Sequence, residues 1–573
     1  MKMTNLKVLL TAINAKYIHS NLAVYSLRAF AEQYRQSVEI AEYTINQQID
    51  EILMDIYRRK PDVLCFSCYL WNLSFVGQIV REIKKVLPET DIWLGGPEVS
   101  YNAADVLTQY PQVKGIMRGE GEETFLELLK YYHGDVGGLD RIDGITYRNQ
   151  EQNTLVEMPM RPVLDLNRIP FVYEEMEHFR NKIIYYESSR GCPFSCSYCL
   201  SSIDKCLRFR DLELVKRELQ FFIDYEVPQV KFVDRTFNCR HDHAIAVWTY
   251  LAEHDKGKTN FHFEVAADLL NEEEIRLIRS LRPGLIQLEI GVQSTNPQTI
   301  REIRRTMRFD QVRDVVGRIR AGGNVHQHLD LIAGLPFEDY ESFRKSFCDV
   351  YALRPEQLQL GFLKVLKGSY MQEMMNEYEL VCQDRPPYEV LSTKWLSYSD
   401  IIRLKGVEEM VEVYYNSRQF ENTLEILEQA FPNAFKMFEA LSEYYEKNGL
   451  SGINHTRISR YEILSAFAKE HDSKRTGLYR RMLTLDLYLR ENVKNRPEFA
   501  GELTVTKEEA AAFYDAEEKN HRYLIGYEAY DKRQMRKMTH LERLGGKLLL
   551  FDYLNRSPLT NQARVIDVSG AEA

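Results

Sequence analysis

The sequence contains no apolar run long enough to cross a membrane. A membrane-spanning helix needs about 18 or more consecutive apolar residues with few charges, and no part of the 573-residue chain meets that requirement. The apolar stretch near the amino terminus, VLLTAI, is short and is not followed by a small-residue cleavage site, so it lacks the pattern of a secretory signal. We therefore expect a cytoplasmic protein without a membrane anchor.

Cysteine is scarce, with nine residues in 573. Disulfide frameworks are typical of short, cysteine-rich secreted chains, so this class is excluded. An odd number of cysteines in a cytoplasmic chain indicates free thiols or metal ligands. Cys192, Cys196 and Cys199 form a cluster, whereas most of the others are isolated.

The chain also lacks an excess of positive charge, since its net charge is −10. Nucleic-acid-binding proteins neutralise phosphates with clustered lysine and arginine. Basic segments do occur at 301–320 and 532–547, and we interpret them as solvated helix faces. Nucleic acid is therefore not an expected partner.

The length predicts several domains, because one domain usually takes about 150 residues. Residues 7 to 133 alternate between apolar runs and amphipathic stretches, which predicts an α/β domain with a doubly wound, flavodoxin-like parallel sheet. Ligands of such sheets bind at the carboxyl ends of the strands. Glycine and polar residues fall there, in loops 14–19, 67–69, 95–98 and 119–122, although the Gly95–Gly96 pair alone is also explained by a tight turn.

A second alternating series, from 183 to 367, contains six strands with helical crossovers and predicts a partial (βα)6 barrel. Long helical patterns follow, so we expect a mostly α-helical carboxyl-terminal region, with a short hairpin from about residue 549. The predicted divisions are 1–135 for the first domain, 136–181 for a linker with a small hairpin, 182–368 for the barrel and 369–573 for the helical extension.

The segment SSRGCPFSCSYCLSS places three cysteines directly after the first barrel strand. Thiolates hold iron–sulfur clusters, and three ligands on a cluster of four irons leave one iron open. The amino and carboxylate groups of S-adenosylmethionine can chelate that iron, and an electron from the cluster can then cleave the sulfonium to a 5′-deoxyadenosyl radical. The alternatives are a coincidental spacing or a zinc site, for which Cys206 is the only nearby fourth thiol. We expect Cys206 to be a bystander.

This motif, its position and the tyrosine before the third cysteine resemble the radical S-adenosylmethionine superfamily over residues 183 to 367. The strings FVDRTFN, FHFEVAADLL, LEIGVQSTNP and DLIAGLP resemble its later strands. A structural hydrogen bond at a strand end is an equal explanation for each polar residue alone. The resemblance implies a [4Fe-4S] cluster on Cys192, Cys196 and Cys199 and contacts to S-adenosylmethionine from Tyr198, Asp234, Glu264, Glu289, Gln293, Ser294 and Gly334.

The first domain, with GGPEVS and RGEGEETF, resembles the cobalamin-binding domain of the B12-dependent radical subclass. The Asp-x-His-x-x-Gly string that supplies a histidine to cobalt in many cobalamin proteins is missing, and His19 lacks its partners. The resemblance thus implies cobalamin without a lower imidazole ligand, or a relic domain that binds nothing. The implied contacts are Ala15, His19, Ser67, Gly95, Gly96, Pro97, Glu98, Glu120 and Gly121.

The carboxyl-terminal region resembles the helical extension of an uncharacterised bacterial branch of this subclass, which is DUF4080-like. We expect it to cover the barrel mouth, because a radical must be shielded from solvent. Tyr414, Tyr415 and Asn416 are candidate lid residues, and buried packing is the alternative interpretation that we favour.

The resemblance implies methyl transfer from cobalamin to a carbon of an unknown small-molecule or peptide substrate, with electrons from a flavodoxin- or ferredoxin-like donor. One alternative is a non-methylating rearrangement, cyclisation or oxidation with the same cofactors. A second is tRNA methylthiolation, whose enzymes carry three further cysteines in the first domain, where this chain has only Cys65 and Cys68. A third, of a different class, is a non-catalytic cobalamin or redox sensor.

Overall fold

The structure, a computed structural model, describes residues 6–149, 151–173, 175–203 and 205–570. Two parallel sheets with helical crossovers are followed by a helical region with a small sheet. Among the described residues, no helix is both long and apolar enough to span a membrane.

The first sheet has the strand order β2-β1-β3-β4-β5-β6-β7. Its first five strands are parallel, which confirms the predicted flavodoxin-like order. The strands are β1 (Val8–Asn14), β2 (Val38–Thr44), β3 (Val63–Ser67), β4 (Asp91–Gly95), β5 (Gly115–Met117), β6 (Ile145–Asn149) and β7 (Thr154–Glu157). The helices are α1 (Leu22–Phe30), α2 (Ile49–Arg59), α3 (Leu73–Val86), α4 (Pro97–Ser100), α5 (Ala103–Gln109) and α6 (Glu122–His133).

Helices cover both faces of this sheet. Because both faces of its central strand are therefore buried, that strand is a nearly continuous apolar run. All seven residues of β1 are buried. Alternate side chains of β1 enter opposite cores: Leu9 and Ile13 pack on one face, and Val8 and Leu10 on the other. The segment predicted as a linker contributes β6 and β7, which extend the sheet antiparallel to β5.

The second sheet is the predicted six-stranded partial barrel, with parallel strands in the order β15-β14-β13-β12-β11-β8. Its strands are β8 (Ile184–Tyr186), β11 (Gln229–Phe232), β12 (Asn260–Val265), β13 (Ile286–Gln293), β14 (His326–Ala333) and β15 (Gln357–Phe362), with a two-stranded ribbon of β9 (Ser189–Arg190) and β10 (Arg208–Phe209). The crossover helices are α7 (Leu212–Asp224), α8 (His241–His254), α9 (Glu272–Ser280), α10 (Pro297–Glu302), α11 (Phe309–Arg320) and α12 (Tyr340–Tyr351).

Side chains alternate along the barrel strands between the helical layer and the interior of the barrel. In β13, every second residue is buried among the helices, from Ile286 to Val292. The residues between them, including Glu289 and Gln293, face the interior. The alternation therefore gives the barrel a polar interior.

The carboxyl-terminal region is mostly helical, as predicted, and shares one apolar core with the barrel. It contains α13 (Tyr370–Glu373), α14 (Tyr398–Met410), a π-helix (Val411–Asn416), α15 (Glu421–Leu427), α16 (Ala434–Lys447), α17 (Arg457–His471), α18 (Thr476–Arg490), α19 (Lys507–Asn520) and α20 (Lys532–Met538). The strands are β16 (Val381–Cys382), β17 (Val390–Ser392), β18 (Thr539–Leu544), β19 (Lys547–Arg556) and β20 (Ala563–Asp567). The predicted hairpin from residue 549 is thus an antiparallel three-stranded sheet that starts at Thr539.

The candidate lid residues lie at the wrong end of the barrel. Asn416 hydrogen-bonds both backbone groups of Leu358, and Tyr415 donates to the carbonyl of Pro355, at the amino-terminal end of β15. Tyr414 is wholly buried. These residues therefore pack the helical region against the barrel and do not reach its mouth.

Candidate active site

The three clustered cysteines lie on the loop that follows β8, at the carboxyl end of the barrel. Cys192 and Cys196 are buried, and Cys199 is partly exposed. The loop is tied to the rest of the barrel, because the backbone N–H of Ser197 donates to the carbonyl of Ile303 over 3.0 Å. The cysteine loop is therefore anchored to the barrel at Ser197.

The three sulfurs are spaced too widely for a single zinc ion. Zinc–sulfur bonds of about 2.3 Å in a tetrahedral site put the sulfurs roughly 3.8 Å apart, whereas these three do not all lie within 4.8 Å of one another. Cys206 is exposed. The arrangement fits ligands spread over one face of a cluster better than it fits zinc.

A positive charge that the sequence did not reveal lies beside the cysteines. Nη1 of Arg305 donates to the sulfur of Cys196 over 3.7 Å, and Nη2 donates to the carbonyl of Gly291. Burial raises the pKa of Tyr198, although the neighbouring Arg305 charge acts against this. Arg305 and Cys196 are 109 residues apart in the chain, so no local motif connects them.

Asp234, a predicted S-adenosylmethionine contact, is fully buried and engaged elsewhere. Its carboxylate accepts hydrogen bonds from the backbone N–H of Ser188 (3.0 Å) and from the hydroxyls of Ser188 and Ser189 (2.6 Å each). Both carboxylate oxygens accept hydrogen bonds within the fold, and the side chain has no exposed surface. Asp234 therefore positions the chain that leads into the cysteine loop.

The pKa of Asp234 predicts a pH-dependent stability. Burial raises this pKa from its ordinary value of 3.8 to about 6, against the opposing effect of the serine hydrogen bonds. The folded protein thus keeps a proton that the unfolded chain loses above about pH 4, so this contribution is complete below pH 4 and falls by up to about 3 kcal/mol as the pH rises to 6. In thermal unfolding from pH 4 to 7, Asp234→Asn should remove this component. A profile identical to wild type would contradict the assignment.

Glu264 and Glu289, predicted contacts on neighbouring strands, both face the barrel interior. Glu289 Oε2 lies 3.0 Å from both Lys231 Nζ and His262 Nε2. Burial alone would raise the pKa of Glu289, but these two neighbours hold it well below its usual range. Burial raises the pKa of Glu264 to about 7, against the charge of Arg235. Of the two carboxyl groups, Glu264 is thus the one that titrates near neutrality.

The remaining predicted contacts differ in what they can reach. Gln293 has a positive φ of 69°, and its buried Oε1 has no hydrogen-bond partner among the described residues. Ser294 is buried and donates to Glu338 over 2.6 Å, so it is occupied within the fold. A Cβ at Gly334 would lie 2.7 Å from Cγ1 of Val390. Gln293 therefore retains an acceptor for a ligand, whereas Ser294 does not.

The carboxyl ends of the first sheet form a second candidate binding surface. Four large apolar side chains are at least 45% exposed there: Tyr17, Ile18, Trp71 and Tyr101. Such an apolar edge fits a large planar ligand better than a small ion. Apart from His19 and Glu120, the predicted residues that remain partly or fully exposed along it are Ala15, Ser67, Gly95, Gly96, Pro97 and Gly121.

Two polar residues predicted for this surface instead connect the two sheets. Nδ1 of His19 lies 2.6 Å from the hydroxyl of Tyr185 on β8. Glu120 is ion-paired with Arg208 and accepts a hydrogen bond from the backbone of Leu164 over 2.9 Å. These contacts hold the carboxyl edge of the first sheet against the cysteine-loop side of the barrel.

Glu98, also predicted for the first-sheet surface, is bound by the segment that follows β15. The hydroxyl of Tyr388 donates to Glu98 over 2.6 Å, and Lys367 Nζ lies 3.7 Å away. In the same segment, the N–H of Met371 donates to the carbonyl of Ser197 in the cysteine loop over 2.9 Å. Residues 363–392 therefore bridge the cysteine loop and the first sheet, a contact that the sequence analysis did not predict.

Gly96 is a position where a side chain should not fit. Its φ is +109°, and a Cβ there would lie 2.5 Å from the carbonyl oxygen of Cys68. Gly96→Ala should therefore destabilise the protein by about 1–3 kcal/mol, measured as a lower midpoint of thermal unfolding. Gly95→Ala is the matched control, because its Cβ would meet only ordinary contacts at 3.6 Å. Equal effects of the two substitutions would contradict this interpretation.

Three families match successive parts of the chain. The B12 binding domain family matches residues 8–129, and the Radical SAM superfamily matches residues 186–348. The family described as a protein of unknown function, DUF4080, matches residues 376–566. The chain therefore combines a B12-binding domain, a radical SAM domain and a DUF4080 domain. The three clustered cysteines lie in the radical SAM domain, and the exposed apolar edge lies in the B12-binding domain.

Relatives of these domains include methyltransferases and a cyclase. The chain is 28% identical over 303 residues to the 2-(S-pantetheinyl)-carbapenam-3-carboxylate methyltransferase of Streptantibioticus cattleyicolor, covering 50% of this chain and 44% of that protein. It is 26% identical over 287 residues to the anaerobic magnesium-protoporphyrin IX monomethyl ester cyclase of Synechocystis, covering 47% of this chain and 54% of the cyclase. The chain thus spans about half the length of these relatives.

The fold is also similar to a solved structure of the radical S-adenosylmethionine methyltransferase TsrM from Kitasatospora setae, which holds cobalamin and a [4Fe-4S] cluster. The TM-score is 0.56 at 16% identity, over 68% of this chain and 82% of TsrM. At this identity the similarity establishes the shared fold of the B12-binding and radical SAM domains.

Proposed function

We propose that the chain is a cobalamin-dependent radical S-adenosylmethionine enzyme that methylates a carbon atom of its substrate. The observation that carries the proposal is the contact between the carboxyl edges of the two sheets. The cysteine loop and the apolar edge of the B12-binding domain lie on the two sides of this contact, joined through His19–Tyr185 and Glu120–Arg208. A ligand bound at one of these edges would therefore lie next to a ligand bound at the other edge.

Each group that the proposed reaction needs has residues that fit it. Cys192, Cys196 and Cys199 would hold a [4Fe-4S] cluster, and the unpartnered Oε1 of Gln293 and the carboxyl of Glu264 are available to S-adenosylmethionine. The exposed apolar edge would hold cobalamin. Bound together, these groups supply a substrate radical and a methyl donor.

The chain's own residues would orient the reactants and exclude water. Residues 363–392 bridge the two edges and limit access from solvent. They do so through the hydrogen bonds from Tyr388 to Glu98 and from the backbone of Met371 to that of Ser197. Glu264 can hold or release a proton near neutral pH, because burial raises its pKa to about 7. Its carboxyl group is therefore suited to move a proton at the substrate.

The similarity to the cyclase keeps a non-methylating reaction as the second candidate. tRNA methylthiolation is disfavoured, because Cys65 and Cys68 pack into cores on opposite faces of the first sheet and cannot share a cluster. A non-catalytic sensor has no need of an open iron, which three cysteine ligands on a cluster of four irons would leave. An external electron donor of the flavodoxin or ferredoxin type, a small-molecule or peptide substrate and a cytoplasmic location belong to this proposal, as do the domain boundaries at 135, 181 and 368.

The test is anaerobic incubation of the reconstituted, cobalamin-loaded protein with CD3-labelled S-adenosylmethionine, a reductant and an extract of small metabolites. We expect 5′-deoxyadenosine and S-adenosylhomocysteine in similar amounts, with a product heavier by the labelled methyl group. 5′-Deoxyadenosine without S-adenosylhomocysteine would support the non-methylating candidate. Absence of both products, with cluster and cobalamin loaded, would contradict an enzymatic role.

A further inference from the structure

A group of metal-ligating side chains lies inside the barrel, apart from the cysteines. Glu289 on β13 is paired in register with His328 on β14, and Asp330 follows two residues later on the same face. One ligand atom of each residue lies within 4.8 Å of the other two. Adjacent parallel strands thus bring two carboxylates and one imidazole to a single point.

The contact between His328 and Asp330 has the distance of a hydrogen bond without its geometry. Nε2 of His328 lies 3.0 Å from Oδ1 of Asp330, yet both atoms are buried and neither makes a hydrogen bond within the described part of the chain. Two ligands bonded at about 2.1 Å to one ion lie about 3.0 Å apart when they are at right angles. The two atoms therefore have the separation of neighbouring ligands.

Burial makes these unpartnered atoms costly. The side chains of His328 and Asp330 are only 8% and 15% exposed. A buried polar atom without a hydrogen bond is destabilising, so a ligand that bonds both of these atoms would be favoured. A cation would also offset the carboxylates of Glu264, Glu289 and Asp330, which share this interior.

The neighbours of Glu289 are arranged as supporting groups. Lys231 Nζ and His262 Nε2 each lie 3.0 Å from its Oε2. The hydrogen bond from Lys231 is of the kind that orients a ligating carboxylate in metal sites, whereas His262 Nε2 makes no hydrogen bond within the described residues. His262 is not within reach of the same point, since it is not part of the group whose ligand atoms all lie within 4.8 Å.

We propose that Glu289, His328 and Asp330 bind one divalent first-row transition-metal ion inside the barrel, separate from the cysteine site. An imidazole with two carboxylates suits Mn²⁺, Fe²⁺ or Zn²⁺, and three protein ligands leave positions open to water or to an oxygen atom of a substrate. This assignment gives Glu289 a metal in place of its predicted contact to S-adenosylmethionine.

The test measures Mn²⁺ binding to the full-length protein after chelation, by loss of the electron paramagnetic resonance signal of free Mn²⁺. The double variant His328→Gln/Asp330→Asn removes two ligands without a large change of volume. His326→Gln is the matched control, since it replaces a histidine on the same strand outside the ligand group. Wild type and His326→Gln should bind one equivalent, and the double variant should bind at least ten times more weakly.

The Cys192→Ala/Cys196→Ala/Cys199→Ala variant separates this site from the proposed function. It should still bind one equivalent of Mn²⁺ while it loses the cluster iron. Mn²⁺ binding therefore tests the metal site, and iron content tests the proposed function, independently of each other. Unchanged Mn²⁺ affinity in the double variant, or no stoichiometric binding in wild type, would overturn the metal site. Thermal unfolding of each variant shows whether it is folded. If the double variant is misfolded, the single variant Asp330→Asn is measured in its place.

Discussion

Replacing Cys192, Cys196 and Cys199 together by alanine is expected to reduce the iron content from about four atoms per chain to nearly none. The reason is that these three thiols are the proposed protein ligands of the cluster, and Cys206, the nearest other cysteine in sequence, is exposed. Formation of 5′-deoxyadenosine should fall below detection. Iron and sulfide analysis of anaerobically reconstituted protein, together with mass spectrometry of the products, makes the measurement.

Cys206→Ala is the control for this result, and it should retain both iron and activity. The cobalamin content of the triple variant should also be unchanged, because the apolar edge lies in the other domain. Iron retained by the triple variant would show that other residues hold it, and simultaneous loss of cobalt would indicate misfolding instead of ligand removal.

Removing the charge of Arg305 is expected to make the cluster harder to reduce. The guanidinium lies 3.7 Å from the sulfur of Cys196, so it favours the more negative, reduced state. A unit charge about 5 Å away at an effective dielectric constant near 20 contributes about 3 kcal/mol, which corresponds to a shift on the order of 100 mV for one electron. Arg305→Met should therefore lower the midpoint potential by that amount in a titration followed by electron paramagnetic resonance.

Two further variants make this measurement specific. Arg305→Lys keeps the charge and should shift the potential much less than Arg305→Met. Arg304→Met is the matched control, since the Arg304 guanidinium lies 3.5 Å from the ring centroid of Tyr370 and Arg304 itself is exposed. If Arg304→Met and Arg305→Met shift the potential equally, the proximity of Arg305 to Cys196 is not the cause.

The two charged environments of the barrel have different chemical consequences. At the cysteine loop, Arg305 supplies a fixed positive charge beside sulfur. In the interior, Glu289, His328 and Asp330 form a site that a cation would complete. A substrate in the barrel would therefore contact a redox group at the mouth and a second charged centre below it.

The sequence predicted the barrel and the first sheet well because both depend on local periodicity. Six apolar strands with amphipathic crossovers have few packing solutions, and neighbouring strands of the barrel follow one another in the chain. The small sheet from Thr539 was predicted only in part, as a hairpin from about residue 549, since its strands are only partly buried and their apolar pattern is weak. Buried packing, the favoured interpretation of Tyr414 and Tyr415, is what the structure has, whereas their lid role is contradicted, because sequence does not indicate which end of a barrel an extension covers.

The sequence by itself determined the chemistry of the cysteine loop, since the spacing of three thiols within eight residues is a local property of the chain. It also determined that glycine and polar residues follow the strands of the first domain. Only the tertiary structure decided the partners of these groups: Arg305 beside Cys196, Tyr388 on Glu98, and His328 with Asp330 beside Glu289. The physical reason is that each such contact depends on strand register and on packing between distant segments, which no local pattern of residues specifies.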